Sequence, residues 1–306
     1  MNYVFFGTPE FAAIILEKLI NVGLLPQAIV CNPDKPVGRK KIVTPPPTKL
    51  VIRNQKIEDR IKILQPEDLD FKFQILNSKF DFFIVAAYAK ILPKGILNIP
   101  RLGTIGVHPS LLPKYRGPTP IQTAILNGDE ETGASLFLLD EEIDHGPILA
   151  KRKLNYELRI MNYESLMQKL AELGADLLIQ FLRKYENVQK YEKIEGVPQD
   201  ESQATYTKKF SNQDAYIEPK DLEKAEGLTG SSQETRRLAV EIKRKIRALN
   251  PEPGTWTRAY ENTKLYEITK SEKRVKLLEA KIIDGKLKIT KIQVEGGKPK
   301  KICGIV

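Results

Sequence analysis

Residues 2–20 read NYVFFGTPEFAAIILEKLI, and their order decides how the amino-terminal half folds. A short apolar run, Tyr3 to Phe6, stops at Gly7. Thr8, Pro9 and Glu10 then carry the marks of a helix start: a hydroxyl N-cap, a proline at the first helical position and an acid in the first turn. Phe11, Ile14, Ile15, Leu19 and Ile20 follow at the spacing of one helical face. The unit is strand, tight turn, helix. Its turn is Gly-Thr-Pro-Glu-Phe rather than Gly-x-Gly-x-x-Gly, and Pro9 removes an amide from any phosphate cradle, so a dinucleotide cofactor is not indicated.

The same alternation continues outward. QAIVCN (27–32) and KILQP (62–66) read as strands, and FDFFIVAAY (80–88) is a continuous apolar run suited to a strand buried on both faces. Strands alternating with helices predict an α/β fold, a Rossmann-like, doubly wound and mostly parallel sheet. Residues 163–185 form the clearest helix, with Leu166, Leu170, Leu173, Leu177 and Leu178 on one stripe. The chain then turns polar through Gly196-Val197-Pro198. Beyond it, 236–249 reads as a basic amphipathic helix. KLYEIT (264–269), VKLLEAKIID (275–284) and KLKITKIQVEG (286–296) alternate like strands of a small β-barrel. The expected division is a domain over 1–187, a linker over 188–206 and a second domain over 207–306.

Composition narrows the class. At 306 residues, 41% hydrophobic and 29% charged, the chain suits two ordinary globular domains. The start lacks a basic n-region, and no apolar run approaches the roughly 18 residues of a membrane span. No signal peptide and no membrane association are expected. Cys31 and Cys303 make no metal or disulfide pattern and read as free thiols of a cytoplasmic protein. Residues 1–205 carry 26 basic and 25 acidic side chains, whereas 206–306 carry 23 and 14. Nine of the ten excess charges thus lie in the last third. That asymmetry suits a polyanion such as nucleic acid; a generally lysine-rich solvated surface is the plainer reading.

Both histidines, His108 and His145, fall in one 38-residue stretch. Imidazole titrates near neutrality, so it is the natural proton carrier. Asp144 could return to the His108 loop after the apolar LFLL (136–139), and a carboxylate beside an imidazole stabilises the imidazolium. A structural histidine is the competing reading. No Gly-x-Ser-x-Gly, His-Glu-x-x-His or P-loop is present, and a metal site is not expected. A His–Asp pair without a side-chain nucleophile fits a reaction in which the substrate supplies the nucleophile, such as an amine. The loop CNPDKPVGRKKIVTPPPTK (31–49) sets Arg39, Lys40 and Lys41 in tandem. It reads either as an arm that grips phosphates or as a solvated charge cluster.

Further stretches carry a resemblance: PDKPVGRKK (33–41), VAAYAKILP (85–93), HPSLLPKYRGPTPIQTAILNGDEETG (108–133), DEEIDHGPI (140–148), ATYTKK (204–209) and IRALNPEPGTW (246–256). With FFGTPEFA (5–12), they resemble the folate-dependent formyltransferases. The central block is specific for that superfamily, and the terminal blocks are similar to its methionyl-tRNA formyltransferase branch. The resemblance implies a Rossmann-like catalytic domain and a smaller carboxy-terminal OB-like β-barrel that helps bind tRNA. It implies a monomer that transfers formyl from 10-formyltetrahydrofolate, as cosubstrate, to the amine of initiator methionyl-tRNA. His108 and Asp144 match the catalytic pair. Ser110, Leu111, Leu112 and Pro113 match the segment at the folate site, and Ala87, Tyr88, Ala89, Lys90, Ile91 and Leu92, with Asp140 before Asp144, match its pterin walls. Arg39, with Lys40 and Lys41, matches the loop entering the acceptor stem. Lys208, Lys209, Lys243, Arg244 and Arg247 would lie along the tRNA path.

One position departs from the family pattern. Two residues before the histidine the family has asparagine, whose amide faces the developing oxyanion; here Gly106 stands. Loss of one such donor costs about 3–4 kcal/mol of transition-state stabilisation. Slower chemistry, a substitute donor, or folate and tRNA binding without turnover are the three readings left open. On the first, Gly106→Asn raises kcat at least about tenfold. An amino-sugar nucleotide formyltransferase is the alternative enzyme, though it needs no basic carboxy-terminal module.

Overall fold

A computed structural model describes residues 1–38, 40–67, 79–155, 158–185, 194–259, 264–269 and 272–302. In chain order it runs β1 (Tyr3–Gly7), α1 (Glu10–Asn21), β2 (Ala28–Val30), β3 (Lys35–Val37), β4 (Ile42–Thr44), α2 (Pro47–Asn54) and β5 (Lys62–Leu64). β6 (Phe82–Ala86), α3 (Lys94–Leu97), β7 (Thr104–His108), α4 (Pro120–Asn127), β8 (Gly133–Leu138), β9 (Ile148–Lys153) and α5 (Tyr163–Arg183) follow. The last third holds α6 (Pro219–Ala225), α7 (Ser232–Leu249), β10 (Trp256–Arg258), α8 (Lys264–Thr269), β11 (Arg274–Ile283), β12 (Lys286–Val294) and β13 (Lys300–Lys301). The chain divides into two units. One takes 1–117, 131–155 and 167–206, and the other takes 118–130, 156–166 and 207–306.

The first unit is built on a seven-stranded sheet in the order β5-β2-β1-β6-β7-β8-β9. Strands β5 to β7 pair in parallel, and β8 and β9 add antiparallel. The chain moves outward from β1 to β2 and β5, then crosses back to β6 and β7. The order therefore reverses between β1 and β6, and ligands of such sheets bind outside the carboxyl ends of the strands at that point. Both faces are covered, as a continuously apolar β6 requires. Val4, Phe6, Val30 and Phe83 pack with Ile96 and Leu97 of α3 on one side. On the other, Phe82 meets Phe181 and Tyr185 at the end of α5.

The turn after β1 differs in detail from its sequence reading. Pro9, not Thr8, precedes the first turn of α1, and no side chain caps that end. Thr8 Oγ1 instead accepts a hydrogen bond from Asn32 N at 3.1 Å, which ties the turn to the end of β2. Cys31 beside it is a buried free thiol, pushed up to about 11 by burial. Cys303 lies outside the described residues.

In the second unit, Ser231 caps α7 through Glu234 N. The apolar face of α7, with Leu238, Ile242 and Ile246, shares a core with Val275, Leu277, Leu287, Ile289 and Ile292 of β11 and β12. The described strands make a four-stranded antiparallel sheet, β10-β11-β12-β13, and no closed barrel is formed among the described residues. KLYEIT is a helix, α8, rather than a strand. Its six residues are too few for periodicity to separate the two, and the β11–β12 hairpin about Asp284-Gly285 needs no third long partner.

Candidate active site

His108 is the last residue of β7 and Asp144 lies in the loop after β8. The antiparallel pairing of these strands sets Ser135 opposite His108 and Phe137 opposite Gly106. The chain then folds back through 139–147 and returns Asp144 Oδ2 to 3.5 Å from His108 Nδ1. His108 is buried and the Asp144 side chain is 23% exposed, so solvent screening of the pair is reduced. Asp144 holds a left-handed backbone, φ 49°, and its Oδ2 accepts Gly117 N at 2.7 Å. The sequence-predicted pair is therefore brought together.

The imidazole has a second contact that decides its chemistry. His108 Nε2 lies 2.9 Å from the carbonyl oxygen of Tyr115. A carbonyl only accepts, so Nε2 carries the hydrogen and the neutral ring presents a bare Nδ1 toward Asp144. Nδ1 is thus the atom that can receive a proton, after which it faces a carboxylate as N⁺–H. Tyr115 sets the tautomer, which leaves Asp144 to stabilise the imidazolium. Tyr115 too has a left-handed backbone, φ 63°, and its N–H is held by Thr205 Oγ1 at 2.8 Å.

Gly106 sits in the middle of β7 with its missing side chain already replaced. A β-carbon there would come within 2.6 Å of Leu139 Cδ1 and closer still to the Phe137 ring. Phe137 is buried, and its ring meets His108 edge-on at 6.5 Å between centroids. Against the expectation that Gly106→Asn accelerates the enzyme stands the volume an asparagine would need, which the Phe137 and Leu139 side chains occupy.

His145 has carboxylate partners of its own. Its Nδ1 lies 2.6 Å from Asp140 Oδ2, and the hydrogen bond to Asp140 raises its pKa. Nε2 stands 3.5 Å from Glu201 Oε1. Arg116, fully buried, joins Glu201 to the site through Nη1 at 2.9 Å and Nη2 at 2.6 Å. That pairing holds Glu201 below the usual carboxylate range and raises the guanidinium further. None of Tyr115, Arg116, Phe137 or Glu201 was expected to matter. Tyr115 and Arg116 stand inside the block 108–133 that carries the resemblance, which is the signal the sequence offered for them.

The expected folate walls lie at the open end of β6. Ala87 has φ 47° and, like Ala89, is exposed. Ile91 is 80% exposed, as is much of Ile143 across the Asp144 loop. Tyr88 OH is buried with no hydrogen-bond partner among the described residues, and burial pushes the phenol up to about 12. Lys90 is committed to the carbonyls of Pro66 and Glu67 at 2.8 and 2.6 Å. Leu92 is buried in the core. Ser110 and Leu112 are also buried, Ser110 Oγ donating to Lys114 O. Leu111 and Pro113 are partly exposed beside them. Among the described residues, no group of three His, Cys, Asp or Glu could hold a metal ion.

The basic residues separate into two kinds. Lys40 and Lys41 are exposed at the tip of the β3–β4 hairpin, Lys41 with φ 48°; Arg39 lies outside the described residues. Lys208 is 78% exposed in its side chain, 3.5 Å from Asp214, and Lys209 is exposed. Lys243 and Arg244 are partly exposed on α7, Arg244 reaching Asn127 O at 3.3 Å. Arg247 is different. Its Nε and Nη2 donate to Met161 O at 2.8 Å and Leu158 O at 2.6 Å, and burial lowers its pKa. It braces its own unit, unlike the more solvent-facing cations of the expected tRNA path.

Comparison with known proteins agrees with this frame. Residues 1–182 match the family model described as "Formyl transferase". A methionyl-tRNA formyltransferase of Dictyoglomus thermophilum is 38% identical over 290 residues, covering 93% of this chain and 84% of that protein. Two solved structures share the fold at 19% identity. The Clostridium thermocellum methionyl-tRNA formyltransferase covers 99% of this chain and 100% of its own, TM-score 0.55. An N-formyltransferase of Helicobacter canadensis, in complex with folinic acid and dTDP-3-aminofucose, covers 92% and 88%, TM-score 0.58. At that identity the two structures speak for the fold alone. No helix among the described residues is long and apolar enough to cross a membrane.

Proposed function

Because this chain belongs to the formyl transferase family, we propose that it transfers a formyl group from 10-formyltetrahydrofolate to the amino group of initiator methionyl-tRNA. The carrying observation is the 38% identity that runs through 93% of the chain, basic last third included, to a protein named for that reaction. Transfer to an amino-sugar nucleotide is supported only by fold likeness at 19% identity.

The residues at the carboxyl end of β6 fit a folate. The orphaned Tyr88 hydroxyl is a group that a polar heterocycle can satisfy, and exposed Ile91 and Ile143 offer apolar walls. The folate supplies an activated formyl carbon. On the protein's side, His108 Nδ1 takes the proton that the attacking amine must lose as its new C–N bond forms. The Asp144 carboxylate stabilises the resulting imidazolium, whose Nδ1–H can then return the proton to the departing nitrogen. Tyr115 O keeps Nε2 protonated throughout, so the ring cannot present the wrong nitrogen. Position 106 supplies no side-chain amide to the developing oxyanion, and of the imidazolium's two N–H groups one is held by Tyr115 O and the other faces Asp144.

For the nucleic acid, Lys40, Lys41, Lys208, Lys209, Lys243 and Arg244 are the cations offered to phosphates, with Arg39 in the same loop as Lys40. We assign catalysis to residues 1–187, with 188–206 leading to a tRNA-binding module over 207–306, and a cytoplasmic setting. The test is transfer of labelled formyl to charged initiator tRNA. Product with the wild type and none with His108→Ala supports the assignment. Formylation of a sugar nucleotide with tRNA refused would replace it with the alternative.

A further inference from the structure

The segment expected to link the two domains carries a polar cluster that the reaction as written does not use. Gln199 Nε2 donates to Asp144 O at 2.9 Å and to Gly146 O at 2.8 Å. Its Oε1 accepts from Arg116 Nε at 3.1 Å and Nη2 at 2.9 Å. Arg116 can only donate, so the amide's orientation is forced: the oxygen faces the guanidinium and the NH2 faces the catalytic loop. The remaining Arg116 donors meet both oxygens of Glu201 and the hydroxyl of Tyr206 at 2.9 Å. A buried cation with all five N–H groups directed at acceptors is rigidly placed.

The same segment grips the other side of the dyad. Thr205 Oγ1 accepts Tyr115 N, and Thr205 O accepts Arg116 N at 2.8 Å. Tyr115 is the residue whose carbonyl fixes His108. One strip of chain, 199–206, therefore holds the loop that orients the imidazole and the loop that presents the carboxylate. Both loops contain a non-glycine residue with positive φ, conformations that persist only when neighbours enforce them.

We propose that Gln199, locked by Arg116, is a positioning residue that holds Asp144 against His108 through the Asp144 and Gly146 carbonyls. It touches no reacting atom. Gln199→Ala removes two donors from the Asp144 loop, and Gln199→Glu turns them into a carboxylate facing two carbonyls. Misplacing a catalytic group by about an ångström costs on the order of 10²-fold in rate. The kinetic consequence rests on the formyl-transfer reading; the geometric one does not.

The test combines three measurements on the full-length protein. In steady-state formyl transfer, Gln199→Ala and Gln199→Glu lower kcat about 10²-fold, with KM for folate and tRNA changed less than about threefold. Gln203→Ala, whose amide donates to Asp200 Oδ2 at 2.8 Å, leaves kcat unchanged. Gln199→Ala added to Asp144→Asn slows the enzyme no further, because residues acting through one group are not additive. A wild-type kcat in Gln199→Ala, or a loss that multiplies with that of Asp144→Asn, overturns the proposal. If the wild type transfers no formyl to tRNA, the functional reading fails and the clamp is judged by NMR. The chain has two histidines, so imidazole nitrogen spectra hold two sets of signals. Gln199→Ala then still displaces those of His108, and unmoved signals overturn the clamp.

Discussion

His108 has two ring nitrogens, and the fold uses one of them to hold the other in place. With Nε2 donating to Tyr115 O, only Nδ1 can cycle between base and acid, and Asp144 faces it at 3.5 Å. Asp144→Asn keeps the shape and removes the charge, so kcat should fall by about 10² or more with little change in KM, measured in the formyl-transfer assay. At Gly106 the structure adds what the sequence cannot carry, because a glycine in a sequence does not show what fills the space beside it. Gly106→Asn should lower the melting temperature, an overpacking cost of about 1–3 kcal/mol, and should not raise kcat. A rate gain from the single substitution would contradict the packing. His145 carries a pH signature. The hydrogen bond to Asp140 raises its folded pKa above the unfolded value of about 6.5. Its stabilisation is therefore present below that value and disappears as pH rises through the folded pKa. The melting-temperature gap between wild type and His145→Gln should be larger at pH 5.5 than at pH 8.5, and small at both because the pair is partly exposed.

At the scale of elements, the legible parts were those with a continuous pattern. β1, the helix after it and β6 follow from apolar runs and periodicity, because strands covered on both faces admit little else. Gly7 marks a real close approach. A β-carbon there would lie 2.5 Å from Ala12 Cβ and 2.8 Å from Ala86 O, so Gly7→Ala should destabilise the protein by about 1–3 kcal/mol in urea unfolding. What escaped the sequence was set by tertiary partners. Thr8 Oγ1 accepts from Asn32 N rather than capping its helix, and KLYEIT is helical although its six residues carry no decisive period. Residues 199–206 read as polar linker since hydrogen bonds to distant loops leave no periodic trace. The candidate site was therefore half legible: His108 stood out as one of two histidines and Asp144 by its place directly before the other, while Tyr115, Arg116 and Gln199 act through backbone and buried contacts.

At the scale of the molecule, charge separates the two halves of the task. The excess of positive charge belongs to residues 206–306, while the histidine pair belongs to the sheet that precedes them. Binding of tRNA should weaken as salt rises, with the logarithm of affinity falling linearly in the logarithm of salt concentration. Replacing Lys208 and Lys209 with alanine should flatten that slope by up to about two and leave folate affinity unchanged; an unchanged slope would remove them from the nucleic-acid path. The most direct test of the whole account remains the transfer of labelled formyl from 10-formyltetrahydrofolate to charged initiator tRNA. The account predicts formyl-methionyl-tRNA with the wild type, and none above background with His108→Ala despite retained binding of both substrates. Full activity in His108→Ala, or a wild type that binds both substrates and forms no product, would contradict it.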